Sequence, residues 1–367
     1  MTAKVYYDLR EQMDQYSLGF PSSESGVEIK ILEKLFSEEE AELYLNLSMM
    51  LETPEAIAQR TGGESHAVSA LLDRMFEKGL IFRLKKGDSA KYGAVAFVVG
   101  SFEYQLKDMD REFAELYEQY LLEAFGKQAI GGQKAPLRTI PVNKSVDHLW
   151  EVAPYEDVKK VLLSKNKIAV GKCICRVQQG LLDKGCGKPQ EVCFQFGSHA
   201  DFYVDKGMAR YITQEEALRI IDKCDESGLV PQPFMSQDAG GMCNCCGDCC
   251  GILRSIKMHP KPAERVLTNH YAAVDPDTCS ACETCVDRCQ MDAIKVGDND
   301  VAVVDRDRCI GCGLCVTTCP SEAVSLQSKP ESERQAPPAT AKEYMMQLAS
   351  ARGKSLIPLA VSNKPQA

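Results

Sequence analysis

Residues 277–324 read DTCSACETCVDRCQMDAIKVGDNDVAVVDRDRCIGCGLCVTTCPSEAV, and this stretch decides the reading of the chain. Cys279-x2-Cys282-x2-Cys285-x3-Cys289 returns at a period of 30 as Cys309-x2-Cys312-x2-Cys315-x3-Cys319. The repeat extends beyond sulfur: Val274, Asp275, Asp277, Ala293 and Ile294 correspond to Val304, Asp305, Asp307, Ala323 and Val324. Each copy reads as a strand, a loop, a short helix and a return strand. The copies differ at one notable place, where Pro320 follows Cys319 but Gln290 follows Cys289.

The spacing has a geometric cause. Three thiolates on a tight C-x2-C-x2-C loop can cap three iron corners of a cubane. The fourth corner faces the other copy, so a cysteine three residues further on reaches the other cluster. By this rule cluster I takes Cys279, Cys282, Cys285 and Cys319, and cluster II takes Cys309, Cys312, Cys315 and Cys289. Ala281, Gly311 and Gly313 are small enough to let backbone approach inorganic sulfur. Zinc also takes four thiolates, but its sites pair two C-x2-C units over a longer gap and need no repeated three-plus-one exchange. Residues 272–327 closely resemble the bacterial-type ferredoxins with two [4Fe-4S] clusters. The resemblance implies a dicluster ferredoxin fold and single-electron transfer. Gln290 departs from the family pattern without touching a ligand, which implies an altered turn.

The chain holds 18 cysteines, none before Cys173. In a reducing compartment, such clustering reads as metal or iron–sulfur ligation. Two groups precede the repeat: Cys173-x-Cys175-Arg176 with Cys186 and Cys193, and Cys243-Asn244-Cys245-Cys246-Gly247-Asp248-Cys249-Cys250. Soft thiolates at this density select iron–sulfur, zinc or copper(I). The reading is one further iron–sulfur cluster or zinc centre drawn from both groups, its ligand subset and nuclearity open. A dithiol relay is a smaller alternative. Cys224 lies on the apolar stripe of a helix with Ala217, Ile220 and Ile221 and reads as a buried thiol. The Cys-Cys-Gly run is similar to part of the cysteine-rich modules of heterodisulfide reductases. Their other cysteine pair is arranged differently, so no activity is carried over.

Upstream, Ser37-Glu38-Glu39-Glu40 reads as a capping box opening a helix through Leu43, Leu45, Leu47 and Met50. Thr53-Pro54 starts a second helix, stopped at Gly62-Gly63, and Val68, Leu71, Leu72, Met75 and Phe76 mark a third. LIFRLK, a turn at Gly87-Asp88 and KYGAVAFVVG read as a hairpin. This order resembles a winged helix. DNA binding is not favoured, because the third helix sets His66, Arg74 and Lys78 against Glu64, Asp73 and Glu77, although Arg83, Lys85, Lys86 and Lys91 follow on the hairpin. Dimerisation or partner docking is the preferred use. A long amphipathic helix is expected over 104–126, with Phe113, Leu116, Tyr120 and Leu121 on one stripe.

The fold class expected is α+β multidomain. An N-terminal arm (1–28) precedes a winged-helix-like domain plus long helix (29–130). A Cys-rich α+β middle domain (137–268), the dicluster ferredoxin domain (269–327) and a linker and tail (328–367) follow. Gly131 to Pro136 reads as linker. In the middle domain, helices are expected over 154–165 and from Gln214 to Glu226, with a strand at Ile168 to Val170. A helix is expected from Glu343 to Ala351.

The net charge of −9 argues against a nucleic-acid-coating protein and suits solubility. No secretory start or span of 18 apolar residues is read, so a cytoplasmic protein is expected. No dinucleotide fingerprint, P-loop or acid–base constellation is found, and His66, His148, His199, His259 and His270 are scattered. The layout resembles multidomain iron–sulfur proteins of anaerobic bacteria and archaea. That resemblance implies an electron-transfer component with a redox partner protein. The alternatives are a redox-sensing winged-helix regulator and an oxidoreductase with a catalytic metal centre in the middle domain.

Overall fold

The computed structural model describes residues 3–130, 134–146 and 152–362. The expected linker at 131–136 therefore lies partly outside the described residues, as do His148 and Trp150. The chain mixes helices with small antiparallel sheets and divides into two compact units, 1–128 with 345–367, and 129–344.

The first unit opens with the helix Lys4–Asp14, whose Leu9 and Met13 are fully buried. Val27–Leu35, Glu38–Tyr44, Pro54–Thr61 and Ser65–Glu77 follow, then a hairpin of Ile81–Lys86 and Ser89–Ala94 turning at Gly87-Asp88. Ser37 and Glu40 form the reciprocal capping box, and Gly62 stops its helix at φ 74°.

Three expectations differ. The helix from Ser37 ends at Tyr44, leaving Met50 exposed rather than on its stripe. The second hairpin strand ends at Ala94, because Phe97 turns inward among Phe20, Tyr117 and Tyr120, with ring centroids 4.6, 6.2 and 5.8 Å away. The burial of this aromatic cluster takes the place of further strand pairing. The long helix starts at Arg111, not 104, because Asp110 caps it, accepting from the Phe113 amide at 2.7 Å.

Residues 345–362 complete this unit. Within the helix Ala341–Ala351 and just beyond it, the chain comes back to the first helix. Arg352 Nη2 lies 3.1 Å from Asp14 Oδ1 and its Nη1 donates to the Ser17 carbonyl at 3.1 Å. Lys354 reaches Asp14 Oδ2 at 2.8 Å, and the Leu359 amide donates to Gln12 Oε1 at 2.7 Å.

The second unit is built on a five-stranded antiparallel sheet, in order Ala209–Ile212, Ile168–Lys172, Glu191–Phe196, Gly241–Cys245, Val230–Pro233. Strand periodicity of two separates its faces. Ile168, Val170, Phe194, Phe196 and Met242 pack with Val158, Val161, Ala217 and Ile221 from the helices Val158–Leu163 and Gln214–Glu226. The opposite face carries Cys193, Cys243 and Cys245; Phe194 pairs with Met242, so Cys193 lies across from Cys243. The helix expected over 154–165 is split, since Asp157 caps a fresh start at Val158 by accepting from the Lys160 amide at 3.0 Å.

In the repeat region the copies interleave. The opening strand His270–Val274 pairs with the closing strand Val324–Ser328, and Ile294–Val296 pairs with Ala302–Val304. Both two-stranded sheets thus join one copy to the other. No described helix is long and apolar enough to cross a membrane.

Candidate metal centres

Interleaving decides where the repeat cysteines go. Cys289 lines one small pocket together with Cys309, Cys312 and Cys315. In the mirror arrangement, Cys279, Cys282 and Cys319 all lie close enough to raise the Cys285 thiol, though burial is the larger cause. The sulfur contacts repeat the exchange. The Ala272 amide, on the first copy's strand, donates to Cys309 Sγ at 3.4 Å, and the Ala302 amide, on the second copy's, donates to Cys279 Sγ at 3.4 Å. Ala293 donates to Cys289 at 3.2 Å. Such N–H···S bonds stabilise electron-rich sulfur and tune a bound cluster's potential.

The loops share a backbone but not an environment. Ala281 and Glu283 have φ of 54° and 62°; the equivalent Gly311 and Gly313 have 67° and 74°. A left-handed turn at both positions curls the loop, so smallness is only part of their role. Glycine is required in the second loop because it is covered. A Cβ at Gly311 would sit 2.2 Å from the His270 carbonyl oxygen, and one at Gly313 2.2 Å from Ser145 Oγ. The first loop is open, with Cys282, Glu283 and Thr284 exposed, so Ala and Glu accept the left-handed strain there. Burial pushes the Cys312 thiol up to about 12, so metal binding must displace its proton.

Residues 272–326 match the family model of the 4Fe-4S dicluster domain. The chain thus carries a ferredoxin-like iron–sulfur module, on 55 residues whose four-cysteine pocket and crosswise sulfur contacts suit such clusters. No curated protein and no solved structure matches the chain.

The nine middle cysteines gather in two places, and both sequence groups supply both. One is a run of thiol contacts in the order Cys173, Cys175, Cys250, Cys245, Cys243, Cys193. Cys243 is held low by hydrogen bonds from Cys193 and Cys245, and Cys250 is held at about 5 by those from Cys175 and Cys245. Cys193 and Cys245 are raised, chiefly as donors to Cys243. The other place joins Cys186, Cys246 and Cys249, whose sulfurs all lie within 4.8 Å of one another. Cys224 is buried, its thiol pushed up to about 12 by burial; it packs in the apolar cluster beside this trio.

Two residues gain roles that spacing alone did not give them. Arg176 is buried between the two places, its guanidinium donating to the Pro189 and Asn244 carbonyls at 2.9 and 2.8 Å. Burial opposes its charge, but Cys173, Cys246 and Cys245 outweigh it and hold the cation. Gln290 explains the missing proline. Its Oε1 accepts the Gly247 amide at 2.7 Å, tying the turn after Cys289 to the loop between Cys246 and Cys249. Arg288 and Thr317 fasten the same region to Asp225: Arg288 Nη2 donates to the Asp225 carbonyl, and Thr317 Oγ1 to its carboxylate at 2.9 Å. His199 packs edge-on to Phe234, with ring centroids 6.4 Å apart, and lies against Gly240.

Proposed function

We propose that this protein is an iron–sulfur electron-transfer component carrying two [4Fe-4S] clusters and serving an oxidoreductase partner. Cys279, Cys282, Cys285 and Cys319 would hold cluster I, and Cys309, Cys312, Cys315 and Cys289 cluster II. The observation that carries this reading is the single pocket shared by Cys289 and the second loop. When bound, such clusters take up and release single electrons.

The chain's own residues suggest the direction of traffic. The Cys279–Cys285 loop is exposed and flanked by exposed Asp275, Asp277, Glu283 and Asp287, a face suited to a partner with a basic patch. The Cys309–Cys315 loop is covered: Val142 donates to the Cys312 carbonyl at 2.9 Å and Ser145 lies over Gly313. Through Gln290 it looks toward the middle cysteines instead. We assign the six-thiol run to a further soft-metal centre, iron–sulfur in the favoured form.

The regulator alternative draws little from the first unit. Arg74 pairs with Glu39 at 3.0 Å, Lys78 with Glu40, and Arg83 with Asp73 at 3.3 Å while stacking on Phe76. Arg74, Lys78 and Arg83 are thus paired with acids, leaving the exposed Lys85, Lys86 and Lys91 of the hairpin as a small basic set, which favours docking or dimerisation over an extended phosphate surface. Anaerobic purification with iron and sulfide counts, and EPR of the reduced protein, tests the proposal. About eight irons from the repeat and interacting signals support it; colourless, iron-free material refutes it.

A further inference from the structure

The doublets Cys245-Cys246 and Cys249-Cys250 pose a question that a single middle centre leaves open. Consecutive residues at a strand end or turn point to different sides. Each doublet here sends one thiol each way: Cys245 and Cys250 join the six-thiol run, whereas Cys246 and Cys249 meet Cys186. The split is therefore built into the chain, and the trio is a separate place.

Its dimensions select the occupant. A tetrahedral ion with metal–sulfur bonds of about 2.3 Å sets its thiolates roughly 3.8 Å apart along each edge. Cys186 Sγ and Cys246 Sγ are 3.8 Å apart, and all three sulfurs lie within 4.8 Å of one another. Thiolates on separate corners of a cubane have the cube between them and stand further apart.

We infer that Cys186, Cys246 and Cys249 bind one zinc ion, separate from every iron–sulfur cluster, with the fourth coordination position open to an exogenous donor. Among the described residues, no fourth His, Cys, Asp or Glu joins the trio within that radius. Cys246 and Cys249 are buried, and Cys186 is half-buried on a loop whose Asp183, Lys184, Gly185 and Gly187 are exposed. Three protein ligands with one free position is the coordination of zinc sites that bind substrate or water, not of closed structural ones. A soft anionic donor, a small thiolate, is the class of ligand three sulfurs and a neighbouring guanidinium would accept. The site also abuts the module: Gly247, between Cys246 and Cys249, is held by Gln290 beside Cys289. The inference is independent of the iron–sulfur reading, since zinc and iron are counted separately.

The test uses anaerobic holoprotein prepared without added thiol. Metal analysis should find one zinc per chain, and zinc-edge X-ray absorption should find three sulfurs and one lighter donor. Adding 2-mercaptoethanol should raise the sulfur number to four. Cys246→Ala and Cys249→Ala should each lose the zinc while keeping the iron count and the EPR of the reduced protein, which also reports folding. Cys245→Ala and Cys224→Ala should keep it. Absence of zinc, iron lost with Cys246→Ala, or zinc kept in the Cys246→Ala, Cys249→Ala double variant would overturn the site. Four sulfurs without added thiol, or zinc lost with Cys224→Ala, would overturn the open position.

Discussion

Gly247→Ala probes the joint between the middle cysteines and the ferredoxin-like module. A Cβ at Gly247 would lie 2.6 Å from the Gln290 carbonyl oxygen, a backbone atom that no rotamer can move. Ordinary contact begins near 3.4 Å, so the two loops must part by about 0.8 Å. That separation also stretches the 2.7 Å Gly247–Gln290 hydrogen bond. Forced overpacking of this kind costs about 1–3 kcal/mol, and loss of the neutral hydrogen bond adds about 1 kcal/mol. The holoprotein should lose its cluster absorbance at lower denaturant concentration. Amide exchange should quicken at 245–250 and 289–293, with less change in the hairpin Ile81–Lys86. Gln290→Ala alone should show only the hydrogen-bond part. Because the obstructing atom is backbone, Gly247→Ala combined with Gln290→Ala should not be rescued. A Gly247→Ala protein as stable as the parent, or one restored by Gln290→Ala, would refute the close approach.

Cys289→Ala and Cys319→Ala should each perturb the cluster held by the other copy's loop. EPR should report a three-iron species or loss of one cluster, and perturbation of the same-loop cluster would contradict the exchange. Arg352→Ala removes one of the two cations on Asp14, leaving Lys354, and should destabilise the first unit by about 2 kcal/mol, read as faster amide exchange in Lys4–Asp14. His270 is buried, and burial, aided by Arg334 and Lys329, lowers its pKa from 6.5 to about 4. The folded state then binds fewer protons than the unfolded one. Stability present above pH 6.5 falls as pH drops toward 4, by up to about 3 kcal/mol. His270→Gln should flatten that part of the pH dependence of cluster loss; an unchanged slope would count against it.

The repeat was legible because the proposed cubane ligation would impose a local spacing, from which the exchange of Cys289 and Cys319 would follow. The middle region was legible only as thiol-rich. Its division into a six-thiol run and a trio depends on strand alternation and on Cys186, which arrives from a loop about sixty positions before Cys246. No spacing rule spans that distance. Gln290 was visible as a departure from Pro320, but its reason is a tertiary hydrogen bond. Had Gly247 between two cysteine doublets been read as a site of close backbone approach, the sequence would have hinted at it. In the first unit, caps and glycine stops marked most helix boundaries. Phe97 broke the strand pattern because its partners, Phe20 and Tyr120, are remote in sequence.

The return of residues 345–362 to the first helix sets an order of events during synthesis. Lys4–Asp14 emerges from the ribosome long before Arg352 and Lys354, the residues that pair with Asp14. At ordinary elongation rates the interval is on the order of tens of seconds. During it, all eighteen cysteines are translated and open to loading while the unit that began the chain still lacks its last segment. Metal insertion into the second unit can therefore precede closure of the first.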